Sequence, residues 1–281
     1  MRKLTLSATR LALLSFLMLA VTGSRFYAQT GMSLSGNYGF LVTQTFANSD
    51  GQKGLAFLGI MNFEGAGRVT ASIVFQNGAG PRHASETGTL PGAGTYTFNP
   101  DGTGTLTLEA AELTLTFAMV AADGGQSLQL LLVKCASGPD DCGTDPVVVA
   151  GTARALKGGA KTLKGTYAFT AGSSPLPGGV IGLLTFDGAG GVTETFTSLV
   201  IAESSAGVAG AASASNGSLT GTYVINPNGN EGTLALQLQS DPSIKLNISF
   251  VITDGGLGLL LLVKESDTPN RNLTFASARL Q

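Results

Sequence analysis

The chain has no tryptophan, a single histidine and two cysteines among 281 residues, and only 12% of it is charged. Each shortage excludes something. One histidine, His83 in Gly80-Pro81-Arg82-His83, leaves no second imidazole for a His-based nucleophilic triad, and it reads as an exposed loop residue. Two cysteines with no histidine beside them make no zinc site. Beyond residue 28 no run of Lys or Arg exists, which speaks against nucleic acid or an anionic membrane as partner. No apolar run is long enough to span a bilayer as a helix. Five tyrosines, no tryptophan and an Arg279-Leu280-Gln281 end supply no aromatic girdle for an outer-membrane barrel.

Glycine is abundant, at 40 residues, about twice its usual share of about 7%. Positive mean hydropathy with few charges is the reverse of a disordered composition. Threonine, valine and leucine alternate between glycine punctuation, the pattern of an all-β protein with short strands.

One stretch occurs twice. Phe63-Glu64-Gly65-Ala66-Gly67-Arg68-Val69-Thr70 returns as Phe186-Asp187-Gly188-Ala189-Gly190-Gly191-Val192-Thr193. Each copy joins an apolar run to a Thr-rich alternating run and reads as a tight hairpin, with the carboxylate capping backbone amides. Other segments repeat in the same order. Leu34-Ser35-Gly36-Asn37-Tyr38 matches Leu163-Lys164-Gly165-Thr166-Tyr167. Gly94-Thr95-Tyr96 through Asn99-Pro100-Asp101-Gly102 matches Gly221-Thr222-Tyr223 through Asn226-Pro227-Asn228-Gly229. Asp123-Gly124-Gly125 matches Asp254-Gly255-Gly256. The chain is a tandem duplication.

Each copy reads as about eight strands joined by short turns, an antiparallel meander that closes into a barrel because closure removes its edges. The expected fold is therefore all-β, two tandem antiparallel units of β-barrel type, at 32–156 and 163–281, with a linker at 157–162. The stretch Ala206 to Ser215, almost all Ala, Gly, Ser and Val, reads as either a flexible loop or a small-residue strand packed against something bulky, with the loop the leading expectation.

Residues 1–28 read as an export signal. Arg2, Lys3 and Arg10 flank the short apolar run Leu11 to Val21, and small residues place cleavage after Gly23 or Ala28. Removing residues 1–23 leaves 13 basic against 18 acidic residues, a net charge of −5. In an exported chain Cys135 and Cys142, six apart in a Gly/Asp/Pro segment, are expected to form a local disulfide.

Two resemblances follow from these motifs. Gly-x-Tyr on a first strand with Arg on the last (Gly36, Tyr38 and Arg154; Gly165, Tyr167 and Arg279) resembles the calycin signature. There, tyrosine would replace tryptophan, and the resemblance implies a barrel whose arginine packs across the aromatic ring. The combined Gly-Thr-Tyr, Phe-Asp-Gly-x-Gly and Asn-Pro-Asp-Gly pattern resembles exported bacterial β-repeat proteins of unassigned function. It covers the whole mature chain and implies export and architecture, with no catalytic residue to carry over.

Candidate chemistry is thin. Glu64 and Asp187 are better read as turn caps than as paired carboxylates. The Asp-Gly turns supply too few oxygens for calcium. The Gly-rich turns open no helix and so offer no phosphate cradle. The runs Leu130-Leu131-Leu132-Val133 and Leu259-Leu260-Leu261-Leu262-Val263 are too apolar for a strand with one wet face. They are either buried on both faces, for example against the other unit, or line an apolar cavity. No metal or cofactor is expected, and no enzymatic activity. The leading expectation is an exported cell-envelope or extracellular module binding a small apolar ligand or a partner surface. Inward-facing Phe40, Phe63, Phe117, Phe169, Phe186 and Phe250 are its candidate lining. The rival is a structural or adhesive surface protein without a pocket, and a hydrolase ranks far behind. A void inside a barrel would separate the first two.

Overall fold

The structure is a computed structural model that describes residues 33–44, 53–79, 86–110, 113–137, 140–141, 149–174, 178–203, 209–266 and 273–281. Residues 1–28, expected as an export signal, His83 and Cys142 lie outside the described residues, and with Cys142 the second half of the expected disulfide.

The first copy comprises β1 (Ser35–Gln44), β2 (Lys53–Glu64), β3 (Arg68–Ala79), β4 (Glu86–Phe98), β5 (Thr103–Ala110), β6 (Leu113–Ala122), β7 (Ser127–Ser137), the two-residue β8 (Asp140–Asp141) and β9 (Val149–Ala155). The second comprises β10 (Lys164–Ser174), β11 (Gly178–Asp187), β12 (Gly191–Glu203), β13 (Ala209–Ile225), β14 (Glu231–Leu238), β15 (Lys245–Thr253), β16 (Gly258–Ser266) and β17 (Leu273–Leu280). Strands β10 to β17 form a closed eight-stranded barrel. In the first copy, β1 to β6 run as a meander, β6 pairs with β7, β7 with β9, and β9 with β1, closing an eight-stranded ring to which β8 is appended. Every pairing is antiparallel, and closure leaves neither ring an open edge.

The segment expected as a loop around Ala206 to Ser215 is strand from Ala209 onward. Ser213, Ala214 and Ser215 pair with Val200, Leu199 and Ser198 of β12. Ser198 and Ser215 share a hydroxyl contact of 2.8 Å, and Thr197 Oγ1 donates to Asn216 Oδ1 at 2.8 Å. Small residues on both faces give no period-two signal, so the partner strand decides the conformation and not the local sequence.

The repeated hairpin is built as its residues require. Asp187 Oδ1 accepts from the Ala189 and Gly191 amides at 2.6 and 2.9 Å, and these bonds hold its carboxyl below the usual carboxylate range. In the first copy the turn differs, because Glu64 pairs with Arg68 at 3.0 Å. The Asp-Gly-Gly turns place Asp123 and Asp254 at φ 52 and 55, a left-handed conformation that Asp tolerates better than most residues.

Each barrel has its own core, and a third cluster lies between the barrels. In that third cluster Leu41, Ala56 and Leu58, on the outer face of β1 and β2, meet Val251, Leu260 and Leu262 on the outer face of β15 and β16. Strand β16 is thus buried on both sides, Leu259 and Leu261 inward and Leu260 and Leu262 outward. Its counterpart β7 is not, since Leu131 is 43% and Val133 57% exposed. One leucine run of the two meets the expectation of double burial.

Candidate functional site

One end of each barrel is sealed by aromatic rings. Phe63 sits edge-on between Tyr38 and Tyr96, with ring centroids 5.1 and 4.9 Å away. Phe186 sits the same way between Tyr167 and Tyr223, at 5.3 and 5.1 Å. Edge-to-face stacks of this kind add to the burial energy of the rings. The tyrosine hydroxyls reach backbone carbonyls: Tyr38 to Gly125 at 2.7 Å, Tyr167 to Gly256 at 2.5 Å, Tyr96 to Leu34 at 2.8 Å and Tyr223 to Leu163 at 2.9 Å. Burial, and secondarily the neighbouring tyrosine, pushes the Tyr38 and Tyr167 hydroxyls up in pKa. The second Gly-x-Tyr of each unit therefore has its own structural task. It brings the ring that closes the stack.

Above this seal the two barrels differ. In the second, a cavity of about 120 Å³ is lined on its apolar walls by Phe169, Val180, Leu184, Phe196, Ile248 and Leu261. Ala171, Val180, Phe196 and Val263 around it are half-buried, at the end of the barrel where β10 hands over to β11. Into this apolar space β12 delivers Glu194, which is 8% exposed. Burial pushes its carboxyl up to about 7 from an ordinary 4.5, so the group exchanges its proton near neutrality.

The register of the walls is shared. Phe40 pairs with Gly59 and Phe169 with Gly182, so both aromatic rings lie over a glycine of the neighbouring strand. Around the cavity some matched positions carry a smaller side chain than the first copy: Val180 for Phe57, Ala171 for Val42 and Ile248 for Phe117. Others carry a larger one, Phe196 for Ile73, Leu219 for Gly92 and Ala276 for Gly151, so volume is redistributed between the walls. Where Glu194 projects inward, the first copy has Ala71, packed against its core.

Of the six candidate lining phenylalanines, Phe169 faces the cavity. Phe63 and Phe186 belong to the sealing stacks, and Phe40, Phe117 and Phe250 fill the cores at 2% exposure or less. Gly36 and Gly165 take φ 93 and 110 at the start of their barrels, one strand pair from the repeated hairpin. The arginines depart from what the calycin resemblance implies. Arg154 pairs in the ladder with Gly39, and Arg279 with Ala168, so each lies one residue out of phase with the inward tyrosine. They point outward and converge on Asp254, at 3.8 and 3.1 Å. Their place is at the junction of the barrels. Cys135 lies on β7 opposite Leu115.

Glu194 is the functional candidate that the residue types alone did not raise. Its signal was positional: Val192, Glu194 and Phe196 share the parity of inward residues on one strand.

Among the described residues there is no cluster of three or more metal-ligating side chains and no helix long and apolar enough to cross a membrane. No family model matches the chain, and no curated protein matches its sequence. Among solved structures, intact Ap-TbpB (N and C lobes) is similar at a TM-score of 0.23 and 9% identity, over 89% of this chain and 77% of that one. Similarity at that level defines neither fold nor function, and the reading below stands on the barrel interior.

Proposed function

We propose that this is an exported, non-catalytic binding protein whose second barrel takes up a small apolar molecule bearing an amine or hydroxyl group. The observation that carries this reading is Glu194. A carboxyl held in an apolar cavity costs stability unless something pairs with it, and a core selected for packing alone would place an apolar residue there, as Ala71 is placed in the first barrel. The cavity size sets the ligand class. About 120 Å³ is close to the volume of an engineered apolar protein cavity of about 150 Å³ that binds benzene. An amine would pair with the ionised carboxylate, and a hydroxyl would hydrogen-bond to either form.

Export rests on the signal-like residues 1–28. The absence of catalysis rests on the lack of a nucleophile–base pair in the sequence. The rival reading, a structural or adhesive module, is favoured by the fully buried Phe40, Phe57 and Phe117 of the first barrel, and a division of labour accommodates both.

The test is thermal unfolding and native mass spectrometry of residues 29–281 with benzylamine, benzyl alcohol and toluene. The expected result is a rise in Tm and a one-to-one adduct with benzylamine, reduced at least several-fold in affinity by Glu194→Gln, while toluene responds equally in both proteins. If none of the three probes shifts Tm or leaves an adduct, the binding reading fails and the structural one replaces it.

A further inference from the structure

The contact between the barrels is made by two different faces. The outer face of β1 and β2 (Leu41, Ala56, Leu58) receives the outer face of β15 and β16 (Val251, Leu260, Leu262). Because the chain is duplicated, each barrel carries its own version of both faces, and only one of each is used. Left over are the receiving face of the second barrel, where Ile181 and Leu183 stand for Leu58 and Ile60, and the inserting face of the first, where Val120 and Leu131 stand for Val251 and Leu262. Large apolar side chains with notable exposure are few among the described residues, and they gather here: Ile181 60%, Leu183 38%, Val120 49%, Leu131 43% and, two residues along β7, Val133 57%. The only others of this kind there are Val224 and Leu257.

We propose that a second copy of this chain is the occupant of these faces, with the β6–β7 face of one molecule seated on the β10–β11 face of the next, as the chain already joins its own barrels. The existing junction is the template, and two observations fit it. Solvent-exposed apolar clusters of this kind mark interaction sites. The receiving face is concave, with a shallow groove lined by Ile181, Leu183, Thr195, Thr197, Asn216 and Ser218. The ionic contact is not repeated: Arg154 meets Asp254 across the junction, and its counterpart Arg279 is already paired with that same Asp254 at 3.1 Å.

The repeat also shows that this contact is weaker than its template. A Cβ on Gly39 would lie 2.5 Å from Val251 Cγ1, and the position of Gly39 in the second copy is Ala168. A second molecule therefore seats further out, and Thr170, Gly179 and Gln129 stand where Leu41, Ala56 and Leu260 pack in the template. The contact is head-to-tail and not two-fold, so it leaves one face free at each end and adds copies until a ring closes.

Sedimentation velocity on residues 29–281 tests this, from about 10 µM to about 1 mM, the range for a weak contact. The expected result is a weight-average mass that climbs with concentration beyond the dimer. Val120→Asp with Leu131→Asp blocks one face, and Ile181→Asp with Leu183→Asp blocks the other. Each double variant alone is expected to stay monomeric, and an equal mixture to recover a one-to-one dimer and nothing larger, which also shows that both variants are folded. A wild-type mass that stays monomeric throughout overturns the proposal. So does association that survives either double variant, or a mixture that yields no dimer.

Discussion

The two barrels share a strand order, a sealing stack and a turn grammar, yet their interiors above the seal are built from different side chains. In the first, Phe57, Phe117 and Met61 occupy the space between the stack and the far end, all at 2% exposure or less. In the second, Val180, Ile248 and Leu184 stand at those positions and a cavity opens beside Glu194. A barrel needs its seal and its ladder to fold, and these are what the two units have alike. The upper interior tolerates change because exchanging side chains at one end leaves the closed hydrogen-bonded wall intact. That latitude is where a ligand site can arise.

The comparison breaks hardest at positions the copies share. Gly94 and Gly221 have no room for a side chain, because an added Cβ would lie 1.8 Å from the carbonyl oxygen of Thr107 and of Ala235 respectively. Gly94→Ala and Gly221→Ala should each force two paired strands apart at a cost of about 3 kcal/mol or more. Urea unfolding followed by circular dichroism would check this. A large loss in one variant only would mean that the walls are not equivalent.

Next in size is the titration of Glu194, which has no counterpart in the first barrel. Its folded pKa is about 7 against an ordinary 4.5, so the folded state holds the proton more tightly than the unfolded one. Stability is then fully present below pH of about 4.5 and falls as pH rises, with the loss complete above about 7. The span corresponds to about 3 kcal/mol. Glu194→Gln should flatten this component. The difference in unfolding free energy between wild type and variant should shift by that amount between pH 4.5 and pH 8, and parallel profiles would remove Glu194 from the account.

Exchanging interior side chains between the barrels tests which of them has room to spare. Phe57→Val in the first barrel should cost about 2–3 kcal/mol, the usual penalty of a large-to-small change in a filled core. Val180→Phe in the second should cost less, within about 1.5 kcal/mol, because it fills existing space. It should also abolish any benzylamine-induced rise in Tm. A penalty for Val180→Phe as large as that for Phe57→Val would show that the second barrel has no room to give.

Much of this architecture was legible in the residues. Phe63 and Phe186 at the head of the repeated hairpin, and Tyr38 with Tyr167 on the opening strands, marked the duplication and the strand order, and they became the sealing stacks. Residues around Ser213 leave loop and strand both open in the sequence because small side chains look alike on both faces of a strand and in a loop, and only pairing with β12 decides between them. The outward roles of Leu260 and Leu262 needed the neighbouring barrel to be seen. Arg154 and Arg279 were placed against the wrong face because a motif gives sequence distance and not strand parity. Glu194 could have been found by that same parity, counted along β12 from Val192 to Phe196.

The smallest expected difference lies in the seals, where the copies look most alike. Tyr38 and Tyr167 each donate to the glycine carbonyl that ends an Asp-Gly-Gly turn, at 2.7 and 2.5 Å. Gly125 is buried and Gly256 is only half-buried, so water can replace the lost hydroxyl at one carbonyl and not at the other. An unsatisfied buried acceptor bears the full desolvation penalty, whereas an accessible one recovers a partner from solvent. Tyr38→Phe should therefore cost about 1.5 kcal/mol and Tyr167→Phe about 0.5 kcal/mol, with the edge-to-face ring contacts kept in both. Equal losses in urea unfolding would show that the turns are equally dry and that the barrels differ only in their upper interiors. A larger loss at Tyr167 would show that the shorter hydrogen bond, and not the burial of its acceptor, sets the strength of the seal.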